Sequence, residues 1–222
     1  MKRWVLSLLL TGLCMSAASG QTVFFDHFEG DALLPHWTQP PPSHWEYSVS
    51  NSQLHVEELL WPSNPKDPTN SAGIFTRITP LEGDFRVRVR MGREANSFPV
   101  MLFLLTDSNG HGITAFGYSS GRISARTGLT RPMFFPAPPP GIHDFVVERV
   151  GSQATFILNG EPLVTLTGST DDLLQFSLVF SGPYPDPGLD PLHVDLVHIV
   201  PAPGAAVVLM ITGGMAMTRR RR

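Results

Sequence analysis

Between Phe85 and Met91 the chain reads Phe-Arg-Val-Arg-Val-Arg-Met, a strict alternation of apolar and cationic side chains. A period of two places successive side chains on opposite faces of an extended backbone, so this segment predicts a strand with one face in a core and three arginines outside. Short runs of similar character, rich in β-branched and aromatic residues, recur at Thr22–Phe28, Gln53–Leu59, Ile74–Thr79, Val100–Thr106, Gly112–Tyr118 and Arg122–Arg126. They continue at His143–Val150, Thr155–Leu158, Leu163–Leu166, Leu174–Phe180 and Leu192–Val200. Turn chemistry separates them. Asn159-Gly160 lies between Phe156-Ile157-Leu158 and Leu163-Val164, and both turn residues tolerate a positive φ, which predicts a tight hairpin. Asn109-Gly110 and Ser120-Gly121 carry the same signal. No stretch of ten or more residues in this middle region shows helical periodicity. About a dozen short strands without helices predict a sandwich of two antiparallel sheets, with Phe85, Val87, Val89 and Met91 inside and Arg86, Arg88 and Arg90 outside. Burying those three arginines instead would cost several kcal/mol for each unpaired charge.

The two ends follow different rules. Lys2 and Arg3 precede an apolar stretch from Trp4 to about Met15, and Ala17-Ala18-Ser19-Gly20 supplies the small residues a signal peptidase needs. Cleavage is expected after Gly20. Cys14 is the sole cysteine, and the bulky Leu13 before it argues against lipoprotein processing, so it leaves with the signal and the domain folds without a disulfide. At the other end, Pro201-Ala202-Pro203-Gly204 leads into an apolar run from Ala205 to Met217, then Thr218 and Arg219 to Arg222. The apolar run suits a bilayer, and the terminal arginines hold the chain end on the cytoplasmic side. This three-part tail resembles the PEP-CTERM sorting signal of exported bacterial proteins, with Pro-Ala-Pro standing where Pro-Glu-Pro is usual. The resemblance implies an exosortase-like processing enzyme as a partner, acting at Pro201, Ala202, Pro203 and Gly204, and a surface or extracellular-matrix destination. A tail anchor is the other reading. A helix over residues 205–218 spans about 21 Å at 1.5 Å per residue, short of the roughly 30 Å hydrocarbon core, and Gly213 and Gly214 weaken it. The segment therefore suits temporary membrane residence better than permanent anchoring.

The charge balance changes once the ends are set aside. Of the 16 Lys and Arg, 10 lie between residues 21 and 204, against all 19 Asp and Glu, a formal charge of −9 for that segment. Such a domain repels phosphate backbones, so nucleic acid is excluded as a partner. About 180 residues suffice for one domain with a sizeable core. The organisation is a signal peptide over 1–20, a β-sandwich over 21–200 and a sorting or membrane segment over 201–222.

Phe25-Asp26-His27-Phe28-Glu29-Gly30 with Leu33 and Trp37, then Leu81-Glu82-Gly83-Asp84-Phe85, follow one another along this domain. Next come His143-Asp144-Phe145, the Phe156-Ile157-Leu158-Asn159-Gly160 hairpin and the closing Val194-Asp195-Leu196-Val197. In this order and spacing they resemble the concanavalin A-like lectin and glucanase domains. The resemblance implies an all-β jelly roll of two antiparallel sheets, flanked here by an N-terminal signal helix and a C-terminal hydrophobic helix. It also implies a concave face where relatives bind carbohydrate. The family holds glycosidases, lectins and inert modules, so the fold leaves activity open.

Candidate chemistry thins out on inspection. Retaining glycosidases need two carboxylates about 5 Å apart, and the glucanases of this fold carry them as Glu-x-Asp-x-Glu on one strand, a triplet absent here. Glu57-Glu58 point to opposite faces of a strand, Glu148 has no acid two residues away, and Asp171-Asp172 suits a turn. Gly117-Tyr118-Ser119-Ser120-Gly121 fits the letters of a nucleophile elbow, but Arg122-Ile123-Ser124-Ala125 follows as a return strand where an elbow requires a helix. Asp107-Ser108-Asn109-Gly110 matches the start of a calcium loop whose twelfth position is Tyr118 instead of glutamate. No cofactor is expected. A structural calcium at Asp195 is what the resemblance leaves open; a plain surface acid is the alternative.

The loops supply the remaining candidates. Proline clusters at Pro40–Pro42, Pro62–Pro68, Pro132–Pro140 and Pro183–Pro191 stiffen connections that carry Trp45, Trp61, Phe134, Phe135 and Tyr184. Flat aromatic faces beside polar groups suit a sugar ring, which makes Trp61, Tyr184, Trp45 and Arg88 the candidate ligand-binding residues. Packing of aromatics on prolines is the alternative, chiefly for Phe134 and Phe135. The arginine stripe suits an acidic polysaccharide or is simply a solvated sheet face. The expected function is an exported, surface- or matrix-associated, non-catalytic protein with a lectin-like domain. The alternative is a glycoside hydrolase or keto-disaccharide hydrolase of the same fold, using Glu57, Glu148 and Asp195 brought together from distant strands.

Overall fold

The computed structural model describes residues 24–39, 45–58, 71–81, 83–93, 100–107, 112–119, 121–128, 130–168, 173–181 and 192–201. Within them the chain forms β1 (Phe24–Asp26), β2 (Trp45–Ser50), β3 (Gln53–Glu58), β4 (Ser71–Leu81), β5 (Phe85–Arg93), β6 (Val100–Thr106) and β7 (Gly112–Ser119). There follow β8 (Arg122–Thr127), β9 (Met133–Pro136), β10 (Gly141–Val150), β11 (Gln153–Leu158), β12 (Glu161–Thr167), β13 (Leu173–Ser181) and β14 (Leu192–Pro201). Twelve of these match the expected strands. The other two, β2 and β9, fall where the proline-rich sequence predicts loops, and β4 starts three residues earlier than expected. The signal segment, both predicted terminal helices and the motif from Ala202 onward lie outside the described residues. Among the described residues no helix is long and apolar enough to cross a membrane.

Two antiparallel sheets result. One runs β12-β11-β10-β5-β14-β3-β2 with β1 added beside β14, and the other runs β4-β13-β6-β7-β8-β9. The expected all-β jelly-roll sandwich is the observed architecture. Strand β5 is central to the first sheet, registered against β10 from Phe85↔Arg149 to Arg93↔Gly141 and against β14 on its other edge. Its alternation is realised as expected: Phe85, Val87, Val89 and Met91 are fully buried.

The second sheet supplies the opposing inner face through Met101, Phe103, Leu105, Phe116, Tyr118, Phe176, Leu178 and Phe180, all buried. Rings dominate the contact. Phe116 meets Phe145 at 5.1 Å and Phe156 at 5.3 Å across the sheets, both edge-on, and Phe103 stacks on Phe176 at 5.9 Å. Such geometries align ring edges with ring faces and add to the area buried. Burial pushes the Tyr118 phenol up to about 12, against the pull of the Arg93 guanidinium, so the hydroxyl stays neutral. Gly117, between Phe116 and Tyr118 on β7, leaves no room for a side chain at its φ of 150°. A Cβ there would collide with the Met101 carbonyl and come within 2.8 Å of the Met91 methyl.

The motifs of the family resemblance have structural work. Asp26 is buried and accepts the Phe28 N–H at 2.6 Å and the Trp37 indole N–H at 2.5 Å, with His36 at 3.2 Å. This holds Phe28 in the left-handed region at φ 54°. Thr38 then exchanges two backbone hydrogen bonds with Phe75 of β4, so the first loop ties the two sheets together. Arg149, buried at the inner face, donates to the Gly83 carbonyl and lies 4.5 Å over the Phe85 ring. Asp84 accepts from the Gly151 N–H at 2.7 Å. At the other hairpin, Asn159 and Gly160 adopt φ of 51° and 86°, as the two-residue turn predicts. The Asn159 side-chain oxygen accepts from the Asp144 N–H, and its amide donates to His143 Nδ1 at 2.9 Å.

Phe116→Ala should cost about 3–5 kcal/mol of unfolding free energy, and Asp26→Ala about 1–3 kcal/mol because two donors lose their acceptor. Arg86→Ala, which removes only an exposed ion pair, should cost less than about 1 kcal/mol. Urea denaturation of the three variants checks this order; an Arg86 variant as unstable as the Phe116 variant would contradict the assigned core.

Candidate functional site

Outward positions on β5 are Arg86, Arg88 and Arg90, and the strands on either side answer each with a carboxylate. Arg86 Nη1 lies 3.0 Å from Glu148, directly opposite on β10. Arg88 donates from Nε to both oxygens of Asp144, at 2.8 and 3.0 Å. Arg90 Nη1 reaches Asp195 at 3.0 Å on β14. The hydrogen bond to Asp144 is the main reason the Arg88 guanidinium holds its proton more tightly than usual. The stripe is solvent-facing, as expected, but it is an ion-pair ladder.

Asp195 occupies its place because β14 is bulged. The register shifts between Val194, opposite Met91, and Leu196, opposite Arg90, so Asp195 is the extra residue. The inward set then runs Leu192, Val194, Val197, Ile199, keeping the core face apolar across the irregularity. The bulge also divides one edge of β14: β3 pairs with Leu192–Val194 and β1 with Val197–Ile199. The broken alternation Val194-Asp195-Leu196-Val197 was the signal for this in the sequence.

The structural calcium considered for Asp195 would draw on backbone carbonyls as well as on this carboxylate. The carboxylate faces a guanidinium, and among the described residues no group of three or more His, Cys, Asp or Glu converges on a point that could hold a metal. Oxygen donors in number are what calcium requires.

Beside the ladder lies a shallow depression of about 260 Å³ lined by Arg86, Arg88, His198 and Val200. His198 of β14 stands opposite Arg88 on β5 and opposite Phe25 on β1. Phe25 remains 47% exposed, and its ring meets His198 at 5.1 Å and His27 at 4.4 Å, both edge-on. Burial, then the charges of Arg88, Arg86 and His27, lower the His198 pKa below its ordinary 6.5. A neutral imidazole held under two guanidiniums marks a spot of positive potential on a domain with excess acid. Sequence reasoning selected Arg88 but missed Phe25, His27 and His198, whose neighbourhood depends on the β1–β14–β5 register.

The other outer face differs. Its outward positions include Phe75 and Arg77 on β4, Leu102 and Leu104 on β6, Ala115 on β7, and Ser124 and Arg126 on β8. None of its six strands contains Asp or Glu. The Gly117–Gly121 segment is a hairpin, with Ser119 opposite Arg122, and is not a nucleophile elbow. Strand β9 corrects the reading of Phe134 and Phe135 as loop aromatics: Phe135 packs against the core while Phe134 is 49% exposed on the sheet edge.

Of the other predicted site residues, Trp61 and Tyr184 lie outside the described residues, as do Ala202, Pro203 and Gly204 of the processing motif. Pro201 is the last residue of β14, opposite Phe85. Trp45 opens β2 opposite Glu58, its side chain outside the described set. The β5-β14-β3-β2 order and register separate its backbone from that of Arg88 by roughly 27 Å at ~4.8 Å per strand and ~3.3 Å per residue, so the two do not share a site. Glu148 and Asp195 are likewise about 16 Å apart by the same spacings, well beyond the ~5–9.5 Å of a glycosidase pair.

No protein-family model and no curated protein matches this chain. Solved structures do match its fold. A sialidase superposes with a TM-score of 0.64 at 12% identity, covering 83% of this chain and 19% of that one, so this chain spans only about a fifth of the sialidase. The CBM2 module of the evolved Dit of Lactobacillus casei BL23 phage J-1 gives 0.61 at 15% identity, covering 80% of this chain and 94% of the module. The endo-β-1,3-glucanase from Pyrococcus furiosus gives 0.60 at 14% identity, covering 81% and 94%. What the chain shares with them is the concanavalin A-like jelly-roll fold.

Proposed function

We propose that this protein is exported and that its jelly-roll domain binds carbohydrate without hydrolysing it, at the cell surface or in the extracellular matrix. The observation that carries the non-catalytic part is the fate of the carboxylates. Asp144, Glu148 and Asp195 each hold an arginine, Asp26 is locked inside the first loop, and the six-stranded sheet has no acid on any strand. A glycosidase needs two carboxyl groups facing one substrate across a cleft, and these three carboxylates each face a guanidinium on the outer sheet surface instead. Support for carbohydrate comes from the matched folds, which are named for glycan-cleaving enzymes and a CBM2 module. It comes also from the proline-rich sequence around Trp61 and Tyr184.

Purified protein applied to a glycan array should bind a subset of glycans and release no reducing ends from them on prolonged incubation. New reducing ends that scale with protein concentration would restore the hydrolase alternative. The export half rests on the two terminal segments. Mass spectrometry of surface-extracted protein should find a chain starting at Gln21 and ending near Pro201–Gly204; peptides running beyond Met217 would show that no cut is made there.

A further inference from the structure

We infer that the depression between Arg86, Arg88 and His198 is a binding site for an oxyanion carried on a sugar ring, a carboxylate or a sulfate ester, which makes the polysaccharide ligand anionic. This inference rests on the carbohydrate-binding reading and places the site on the outer face of the eight-stranded sheet.

Three features of the spot point there. Each arginine is anchored on one side only. Arg86 engages Glu148 through Nη1, and Arg88 engages Asp144 through Nε alone. The remaining guanidinium N–H groups have no hydrogen-bond partner among the described residues. Their carboxylates fix the planes of the two forks, so an incoming oxyanion meets donors whose conformational freedom is already reduced. Second, Phe25 offers an exposed ring two strands from Arg88, steadied edge-on by His198 and His27. Its face suits the C–H face of a sugar while Val200 gives an apolar wall. Third, the depression is smaller than the roughly 300–1,000 Å³ of pockets that enclose drug-sized molecules. It accepts one charged group and part of a ring, leaving the rest of a polymer on the surface.

The domain's net negative charge does not forbid this. Remote acids are screened beyond a Debye length of about 8 Å at physiological salt, whereas the two arginines act at contact. His198 adds a dependence on pH. The groups facing it are Arg86 and Arg88 from β5 and His27 after β1, with Asp144 and Glu148 bound to the arginines. Neutral at pH 7, His198 gains a third positive charge on acidification, so affinity rises as pH falls through its lowered pKa. Stability moves the other way. The neutral form's contribution is fully present above about 6.5, the unfolded value, and is lost as pH falls through the folded value.

The test uses the full chain, solubilised or in its processed form, with oligogalacturonate, a sulfated galactan oligosaccharide, neutral dextran and phosphatidylglycerol vesicles as probes in calorimetry. Oligogalacturonate, the sulfated oligosaccharide or both should bind, more tightly at pH 5.5 than at pH 7.5. Arg86→Gln and Arg88→Gln should each weaken binding about tenfold, the worth of one hydrogen bond to a charged group. Glu148→Gln, which keeps an amide oxygen for Arg86 to donate to but removes the competing negative charge, should tighten it, a response that a merely structural role for the ladder would not produce. Circular dichroism melts identify any variant that fails to fold, and for those the Glu148→Gln result decides. Glycan binding on the array that ignores all three substitutions overturns this site while leaving the carbohydrate-binding reading intact. Absence of any glycan binding overturns both. Binding to vesicles but to no oligosaccharide overturns it in favour of an anionic membrane surface.

Discussion

The sandwich depends on β5 having a face for each environment. Its inward residues sit at the middle of the interface, where Phe85, Val87, Val89 and Met91 lose all contact with water. Burying four such side chains contributes on the order of 1.5–3 kcal/mol each. Because β5 lies between β10 and β14, its register also sets theirs. A slip of one residue would turn three arginines inward and four apolar side chains outward, so the register tolerates no ambiguity. The aromatic contacts between Phe116, Phe145 and Phe156 follow from that register.

The same strand explains why the outer face is electrostatically quiet over most of its length. Three outward arginines on one strand repel each other, and the fold relieves this with acids from both neighbours, two on β10 and one at the bulge of β14. Exposed pairs of this kind contribute little to stability. Their consequence is geometric: they hold three guanidiniums in defined orientations. The ladder is incomplete on the β1 side, where His198 and Phe25 stand beside Arg86 and Arg88, and the positive depression forms there.

The missed strands show where local pattern stops being enough. Strand β2, Trp45-Glu46-Tyr47-Ser48-Val49-Ser50, alternates well, and its turn residues Asn51 and Ser52 adopt φ of 52° and 58°. The run Pro40-Pro41-Pro42 just before it carries the sequence signal of a loop. Strand β9, Met133-Phe134-Phe135-Pro136, sits inside a proline cluster and still pairs with β8. It lies at the sheet edge, where proline is tolerated because the missing N–H would face outward. Edge position belongs to the topology and is invisible in four residues.

Local rules alone determined much of this protein. Period-two alternation marked most strands and their buried faces, because each side chain's direction follows from the backbone. Asn159-Gly160 specified its hairpin, because few residues accept positive φ. The absence of paired acids within a strand was also legible. Tertiary structure alone decided which acid meets which arginine, since Arg88 and Asp144 are 56 residues apart. It decided that Asp195 serves Arg90 through a bulge, and that Phe25, Arg88 and His198 share one row across three strands. Those contacts depend on register between distant segments, and register is settled by the whole core at once.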